Sequence, residues 1–418
     1  MAEEARGHAG EPAANAIPMP TDRPDRGHER GPVNEPEHGE PLAFASSTGP
    51  SLREGAPERD EFRGLLRLRK SRASVVHIPD HWFIVCLSDE LTKKPIEREL
   101  FSTKLVLFRD GEGRAAALLD RCPHRNVPLS IGKRTSEGNL ECAYHGWRFD
   151  GSGTCRFIPS FTGDAGAKGQ RATAFHVREH DGFIWVYSTP IDDKRTAPRN
   201  EPHRFEFRNA EGYSTVTQVV EAECTLYSAI ENALDVPHTA FLHRGLFRSE
   251  SRGITITAKI HRTRDRVEAE YVGEPRPTGL IARILSPSGG IVTHFDRFIL
   301  PSVAQVEYRI GTENHFRVDS VMTPVTDYLT RIYAVVSFRT RVPRHVILPF
   351  VKPLALRVFL QDSYILKKQT ETIHRFGGEH FTSTDVDIIG RHVWRLLRAA
   401  ERGETNDVDE RLEVPLVV

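Results

Sequence analysis

The sequence predicts an α+β protein, in which a small all-β domain precedes a larger domain of antiparallel strands and helices. Three observations support this prediction. Short apolar runs separated by turn residues fill the segment 75–190. Longer alternating runs and amphipathic segments follow from residue 205 onward. A polar start rich in proline predicts a disordered N-terminal tail ahead of both domains.

Two segments of the first domain show its β character. LVLFRDGEGRAAALL (105–119) predicts two strands joined by a loop through Asp110 and Gly111. GFIWVYS (182–188) predicts a buried strand that ends the domain. In the second domain, 254–338 alternates as an antiparallel sheet does.

Three segments of the second domain predict helices by their apolar spacing: 219–234, 357–375 and 386–401. The composition then sets the domain boundaries. The first 60 residues hold 9 of the 27 prolines and a single aromatic residue, Phe44, so they cannot bury enough apolar surface to order themselves. We therefore expect a disordered segment at 1–72, the first domain at 73–192, the second at 203–405 and a C-terminal tail at 406–418.

Global composition excludes several classes of partner. The formal net charge is zero, which gives no reason to expect nucleic acid as a ligand. No apolar run approaches the roughly 18 residues of a transmembrane helix, and the polar start is not a secretory signal. The five cysteines are an odd and sparse set, which does not indicate a disulfide framework. We expect a reducing cytoplasm, where thiolate metal ligands persist.

The first chemical constellation is Cys122-Pro-His124 followed, after seventeen residues, by Cys142-Ala-Tyr-His145. Two thiolates and two imidazoles on two tight loops suit either a tetrahedral zinc ion or a Rieske [2Fe–2S] cluster. Zinc loops commonly present two cysteines or two histidines as like pairs. Here each loop carries one of each, which favours a cluster whose two irons need different ligands.

The second constellation is His238 and His243, five residues apart beside Pro237, with an isolated acid, Asp362, on a mostly apolar helical stretch. Positions five apart on a regular helix face about 140° from each other, so a shared metal requires a distorted helix. Pro237 supplies a cause for that distortion. Two histidines and one carboxylate with open positions opposite are the ligand set of non-haem Fe(II) oxygenases.

The stretches CPHRNVPLSIG…LECAYHGWRFDGSGTCRFIP and ENALDVPHTAFLH resemble the Rieske non-haem iron oxygenases, and more closely their single-subunit-type branch with pheophorbide a oxygenase-like and vanillate demethylase-like proteins. The resemblance covers about 75–404. It implies a Rieske β domain followed by a helix-grip catalytic domain. The implied cofactors are a [2Fe–2S] cluster and a mononuclear Fe(II). Their implied ligands are Cys122, His124, Cys142 and His145 for the cluster, and His238, His243 and Asp362 for the iron.

The resemblance also gives Asp235 a role. In the family, an aspartate at this position bridges an iron-ligand histidine to a Rieske histidine of the neighbouring subunit, which would link His238 to His145 in a homotrimer. The implied partners are O₂, a hydrophobic small-molecule substrate that contains a ring, and an external ferredoxin or flavin reductase, since no dinucleotide-binding glycine motif is evident. Two rivals remain, a pure electron-transfer protein and a zinc-stabilised binding module, neither of which needs the second constellation.

Overall fold

The computed structural model of this protein describes residues 73–75, 77–167, 169–192, 197–243, 254–274, 292–311, 314–341, 343–405 and 407–417. The tail predicted at 1–72 lies outside these residues, so its disorder stays a prediction. No helix among the described residues is long and apolar enough to cross a bilayer.

The first domain consists of two antiparallel sheets. A six-stranded sheet runs in the order β1-β10-β9-β4-β3-β2, and a four-stranded sheet runs β5-β6-β7-β8. The strands are β1 (Trp82–Leu87), β2 (Ile96–Leu100), β3 (Thr103–Arg109), β4 (Ala115–Leu119), β5 (Lys133–Arg134), β6 (Leu140–Glu141), β7 (Arg148–Phe149), β8 (Cys155–Phe157), β9 (Ala174–His180) and β10 (Phe183–Pro190). The hairpin expected at 105–119 and the buried strand expected at 182–188 are both confirmed as β3–β4 and β10.

The second domain is built on one antiparallel sheet of eight strands in the order β11-β17-β16-β15-β14-β13-β12-β18. These are β11 (Ser214–Ala222), β12 (Thr255–Arg262), β13 (Arg266–Val272), β14 (Val292–Ile299), β15 (Val303–Ile310), β16 (Asn314–Thr326), β17 (Leu329–Arg339) and β18 (Glu410–Val417). The described helices are α1 (Leu226–Leu234), α2 (His238–Phe241), α3 (Arg344–Phe376) and α4 (Gly390–Arg402). The α+β class predicted from the sequence is confirmed.

The two faces of the eight-stranded sheet have different partners, because successive strand residues point to opposite sides. On one face, Ala304 and Met322 belong to the core that includes Ile230 of α1 and Val393 of α4. On the other face, Val303 and its neighbours meet the first domain in a second core. The aromatic members of that core are Trp82, Phe183, Trp185, Tyr187, Phe205 and Tyr333. The first domain is therefore docked on the back of the sheet that carries α1.

A backbone contact fixes this docking. The two-residue turn Phe101-Ser102 between β2 and β3 has positive φ angles of 50° and 58°, a conformation usually left to glycine or asparagine. The N–H of Phe101 donates to the carbonyl of Pro324 at 2.8 Å, and the N–H of Ser102 donates to the carbonyl of Val325 at 2.7 Å. These hydrogen bonds to the second domain thus stabilise a turn conformation that phenylalanine and serine rarely adopt.

The helix predicted at 219–234 is wrong in its first half. Residues up to Ala222 belong to β11, where Val219 and Val220 pair with β17. β-branched residues fit a pleated strand better than a helix. The helix begins after Thr225, whose side chain accepts a hydrogen bond from the N–H of Ser228 as an N-cap.

The other two helices were predicted with inaccurate bounds. α3 begins at Arg344, thirteen residues before the expected start at Arg357, and contains Pro349 and Pro353. Proline disfavours the interior of a helix, since it removes a backbone donor. The burial of Ile347 against Val216 and Phe338 of the sheet overrides that preference. α4 begins at Gly390 rather than at Val386.

The expected C-terminal tail at 406–418 is instead part of the sheet. β18 pairs with β12 along eight residues, from Thr255 opposite Val417 to Arg262 opposite Glu410. Leu416 enters the main core and is 2% exposed, whereas the neighbouring Val417 is 61% exposed. The last strand therefore forms one edge of the sheet and buries apolar surface.

We expect Leu416→Ala to lower the free energy of unfolding of the second domain by about 2–4 kcal/mol, because it removes a buried side chain and leaves a cavity. Val417→Ala is the matched control and should change it by no more than about 0.5 kcal/mol. Urea unfolding followed by tryptophan fluorescence measures both. Equal effects of the two substitutions would contradict the placement of β18 in the core.

Candidate metal centres

Two backbone hydrogen bonds close the loop that carries Cys122. The N–H of Cys122 donates to the carbonyl of Val127 at 2.8 Å, and the N–H of Asn126 donates back to the carbonyl of Cys122 at 2.9 Å. Asn126 has a positive φ of 61°, which asparagine tolerates well. The Arg121 side chain donates to its Oδ1 at 2.7 Å and holds it there.

The loop that carries Cys142 repeats this design between β6 and β7. The N–H of Cys142 donates to the carbonyl of Trp147 at 2.8 Å, and the N–H of Gly146 donates back to the carbonyl of Cys142 at 3.1 Å. Gly146 holds the positive φ, at 69°. A Cβ at this position would lie 3.0 Å from Cγ of Pro159. Glycine thus provides both the backbone conformation and the close approach.

The two loops bring the four predicted cluster ligands together. The thiols of Cys122 and Cys142 are within hydrogen-bonding distance of each other. The ring centroids of His124 and His145 are 4.5 Å apart. Trp147 stacks on His124 with a centroid distance of 4.7 Å, which fixes the plane of that imidazole. Two thiols and two imidazoles therefore meet at one end of the first domain.

The surroundings of the thiols suit bound thiolates. Both cysteines are buried beside Phe149 and Leu140, and burial raises the pKa of Cys122 to about 11. The backbone N–H groups of His124 and Arg125 donate to its sulfur and act in the opposite direction. Such donors favour an anionic sulfur, so a metal that displaces the proton would find the loop already arranged for it. These residues fit a cluster of the Rieske type.

The break between α1 and α2 creates the second centre. α1 ends at Leu234, and α2 begins at His238 after Pro237, whose φ of −56° suits a first helical turn. The N–H of His238 donates to Oδ2 of Asp235 at 3.1 Å, which caps the new helix. The distortion expected at Pro237 is thus a complete interruption between two helices.

His238, His243 and Asp362 converge after this break. One ligand atom of each lies within 4.8 Å of the other two. Nε2 of His243 is 3.0 Å from Oδ1 of Asp362 and 3.3 Å from Nε2 of His238, and Nε2 of His238 is 3.7 Å from the same carboxylate oxygen. The side chain of His243 is only 2% exposed. The three residues meet where α2 ends, next to α3.

The chemistry of these donors fits a divalent metal. Oδ1 of Asp362 is buried and has no hydrogen bond of acceptable geometry within the described part of the chain, although an anionic oxygen out of water requires a compensating partner. A metal ion among the two Nε2 atoms and this oxygen would supply it. Two imidazoles and one carboxylate are the facial set of non-haem iron, and they leave coordination positions open.

The outer nitrogens of the two histidines face different groups. Nδ1 of His238 lies 3.3 Å from Oδ2 of Asp235. Nδ1 of His243 lies 3.0 Å from Oε1 of Gln361. Burial lowers the pKa of His238, but the hydrogen bond to Asp235 and the charges of Asp235 and Asp362 outweigh it, so the pKa is raised overall.

One acidic residue near this centre was not anticipated. Glu231, one turn before Asp235 on α1, has its pKa raised to about 7 by burial first and then by the charges of Asp235 and Asp387. It is therefore partly protonated at neutral pH. The net negative charge around Asp235 is therefore smaller than it would be if every neighbouring carboxyl group were ionised.

Both centres lie in segments that match known protein domains. The sequence profile of the Rieske [2Fe-2S] domain matches residues 81–168, and that of the vanillate O-demethylase oxygenase C-terminal domain matches residues 222–403. The chain belongs to the Rieske non-haem iron oxygenase family. Its membership brings a Rieske [2Fe–2S] cluster and a mononuclear iron as cofactors.

The family's relatives match over part of their length. The oxygenase component of dicamba O-demethylase from Stenotrophomonas maltophilia is 37% identical over 163 residues, which is 39% of this chain and 47% of that protein. The oxygenase component of chloroacetanilide N-alkylformylase from Rhizorhabdus wittichii is 30% identical over 222 residues, which is 51% of this chain and 60% of that protein. The chain thus spans about half the length of the curated relatives it matches.

Solved structures share the fold. The crystal structure of dicamba monooxygenase bound to dicamba superposes with a TM-score of 0.66 at 22% sequence identity, over 78% of this chain and 98% of that chain. A structure of NdmA from Pseudomonas putida CBB5 with caffeine superposes with a TM-score of 0.63 at 21% identity. The Rieske domain and the helix-grip domain that this family membership implies are therefore present here.

Sequence reasoning missed Gln361, whose partner His243 is 118 positions away. No sequence pattern announced this contact. One carboxylate oxygen of Asp235 both accepts from the N–H of His238 and faces its Nδ1, a double contact that the sequence did not indicate.

We expect Gly146→Ala to lower the occupancy of the cluster, because alanine at a positive φ costs about 1 kcal/mol and its Cβ meets Pro159 beside His145. Gly113→Ala is the control, since Gly113 has a positive φ of 80° and open space around its Cβ position. Acid-labile sulfide per chain, together with the visible spectrum, measures occupancy. Full occupancy in both variants would contradict a role for the Gly146 turn in cluster binding.

Proposed function

We propose that this protein is an O₂-dependent oxygenase that oxidises a hydrophobic small molecule containing a ring, by hydroxylation, demethylation, desaturation or oxidative cyclisation. The observation that carries the proposal is the convergence of His238, His243 and Asp362, one ligand atom of each lying within 4.8 Å of the others. A pure electron-transfer protein would need the cluster loops and would have no use for this second centre. The oxygenase function therefore accounts for both sites.

The proposed ligands follow the geometry. Cys122, Cys142, His124 and His145 would hold the [2Fe–2S] cluster, and His238, His243 and Asp362 would hold Fe(II). When bound, the cluster would transfer single electrons from an external ferredoxin or flavin reductase, and the iron would activate O₂ beside the substrate. The described side chains of the first domain keep the thiols away from water, since both cysteines are no more than 3% exposed.

Asp235 is proposed as the link between the two centres. Its Oδ2 faces the N–H and Nδ1 of His238 at 3.1 and 3.3 Å, and no described residue of the same chain bonds its Oδ1. No hydrogen bond or ion pair among the described residues joins Asp235 to His145 within one chain. An exposed His145 and a half-buried Asp235 fit a bridge between subunits, which requires a closed head-to-tail ring such as a homotrimer.

Exposed apolar side chains near each of the two centres support that assembly. Near the cluster loops, Tyr144 and Ile131 are 63% and 64% exposed. Near the second centre, Phe241 and Tyr364 are 83% and 63% exposed. Large exposed apolar surface is unusual on a monomer and commonly marks an interface. A ring would bury the first patch of one subunit near the second patch of the next.

The substrate class is proposed from the relatives. They include proteins named for dicamba, vanillate, phthalate and 3-chlorobenzoate, each of which contains an aromatic ring. A cytoplasmic location is proposed because all five cysteines are free thiols in the structure, as a reducing compartment maintains them.

Anaerobically purified protein should contain about three irons and two acid-labile sulfides per chain and give a Rieske-type EPR signal when reduced. Asp362→Ala should reduce the iron to about two per chain and keep the sulfide and the signal, because it removes a ligand of the mononuclear site only. Asp385→Ala is the control, since the Asp385 side chain is 90% exposed. Wild-type protein that holds two irons and takes up no added Fe(II) would favour the electron-transfer alternative.

Complementation tests the link between subunits. Co-expressed Cys142→Ser and Asp362→Ala chains should form mixed rings in which an intact cluster faces an intact iron site of the neighbour, so turnover should return although neither variant turns over alone. Product formation is measured with the best substrate from a screen that starts with vanillate and dicamba.

A second substitution, placed in one chain or the other, shows which chain of the pair must supply Asp235. Asp235→Asn in the Cys142→Ser chain should abolish the restored turnover, because that chain supplies the iron site. The same substitution in the Asp362→Ala chain should leave it unchanged. Restored turnover that is insensitive to both placements would exclude Asp235 as the link.

A further inference from the structure

The two histidines of the proposed iron site differ in the residue behind them. His238 has an anionic partner, the carboxylate of Asp235, 3.3 Å from its Nδ1. His243 has a neutral amide, with Oε1 of Gln361 3.0 Å from its Nδ1. His243 is also the more deeply buried of the two, with its side chain 2% exposed against 20% for His238. The orientation of a buried ring depends on its neighbours rather than on water.

The geometry assigns the two nitrogens of His243. Nε2 is the atom that lies 3.0 Å from Asp362 and 3.3 Å from His238, so it is the one positioned toward a metal. A neutral imidazole that coordinates through Nε2 carries its proton on Nδ1. That N–H requires an acceptor, and the amide oxygen of Gln361 is at hydrogen-bonding distance from it.

Gln361 and Asp362 are consecutive residues of α3. Side chains of consecutive helical residues diverge by about 100°, so the two reach different atoms of the same site. Asp362 approaches Nε2 of His243 from the metal side, and Gln361 meets Nδ1 on the opposite side of the ring. One turn of α3 thus supplies a ligand and also the group that orients another ligand.

We infer that Gln361 is a positioning residue that fixes the ring plane and the Nδ1–H tautomer of His243 and thereby sets the affinity of the mononuclear site. This inference rests on the proposed function, because it requires a metal among His238, His243 and Asp362. It is nevertheless a separate claim, because the identity of the three ligands does not determine which residue contacts Nδ1 of His243. Outer partners of this kind change metal affinity by about 10–100-fold when they are removed.

The test uses the full-length holoprotein. The mononuclear iron is removed with a chelator under conditions that keep the cluster spectrum, and Fe(II) or Co(II) is then titrated back without oxygen. Gln361→Leu should weaken binding about 10–100-fold and change the ligand-field spectrum of bound Co(II), because the ring of His243 loses its acceptor. Gln361→Glu, which keeps an acceptor in the same place, should bind at least as tightly as wild type and restore the spectrum.

The chain offers a matched control on the same helix. Gln369 lies two turns further along α3, and its side-chain oxygen has no hydrogen-bond partner among the residues that the structure describes. Gln369→Leu should therefore leave the metal affinity and the Co(II) spectrum unchanged. If Gln361→Leu does not retain the cluster spectrum, Gln361→Met takes its place with the same expected weakening.

The outcomes separate this inference from the proposed function. Wild-type protein that binds neither metal at the emptied site would overturn both. Wild-type protein that binds, together with an acceptor-free Gln361 variant of equal affinity and identical Co(II) spectrum, would overturn the inference alone. A loss shared equally by the Gln361→Leu and Gln369→Leu variants would assign the effect to the helix and also overturn it.

Discussion

The carboxylate of Asp362, whose Oδ1 atom is buried, is the constraint around which the second domain is arranged. This oxygen has no well-formed hydrogen bond to any residue that the structure describes. An anionic oxygen out of water is unfavourable unless a cation compensates it. Two imidazoles from a distant segment are held against it at 3.0 and 3.7 Å. The long helix α3 holds the carboxylate in place, and apolar contacts between Ile347 and the edge of the sheet hold α3.

The relation between the two domains follows from the opposite face of the same sheet. The first domain is fixed to it by an aromatic core and by two backbone hydrogen bonds from a turn with unfavourable φ angles. Such a contact resists hinge motion, because sliding would break both of these backbone hydrogen bonds. The cluster loops and the second centre of one chain therefore keep a fixed separation. If the two domains do not move relative to each other, the two centres can be linked only by contact between subunits. The fixed docking of the domains is therefore consistent with the proposed ring.

The sequence was most informative where chemistry restricts the choice of residue. Cys122, His124, Cys142 and His145 were identified together because few functions require one thiol and one imidazole on each of two tight loops. The structure does bring these four side chains to one place. Asp362 was selected as an isolated acid on an apolar stretch, and it lies beside both histidines. The roles of these residues as ligands follow from that geometry only in combination with the proposed metals.

The sequence was least informative where a tertiary contact overrides a local preference. Val219 and Val220 continue a helical apolar pattern, yet pairing with β17 makes them strand residues. Pro349 and Pro353 argue against a helix that packing nevertheless maintains. The last strand pairs with β12 across about 150 positions, a distance over which sequence patterns carry no register. Gln361 is the same kind of case, because an amide on a helix has no signature until its partner is known.

The interruption at 235–237 shows how these levels combine. Two histidines five residues apart diverge on a regular helix, so one uninterrupted helix cannot direct both to the same point. Ending α1 at Leu234 and restarting the chain at His238 removes that restriction and leaves orphan N–H groups at the new helix start. Asp235 satisfies one of them, and the same oxygen then faces Nδ1 of His238. The capping contact that Asp235 makes at the start of α2 thus also places its carboxylate beside Nδ1 of His238. His243, which follows the short helix, has Oε1 of Gln361 from α3 at 3.0 Å from its Nδ1. The different partners of the two histidines are therefore a consequence of where the helix had to break.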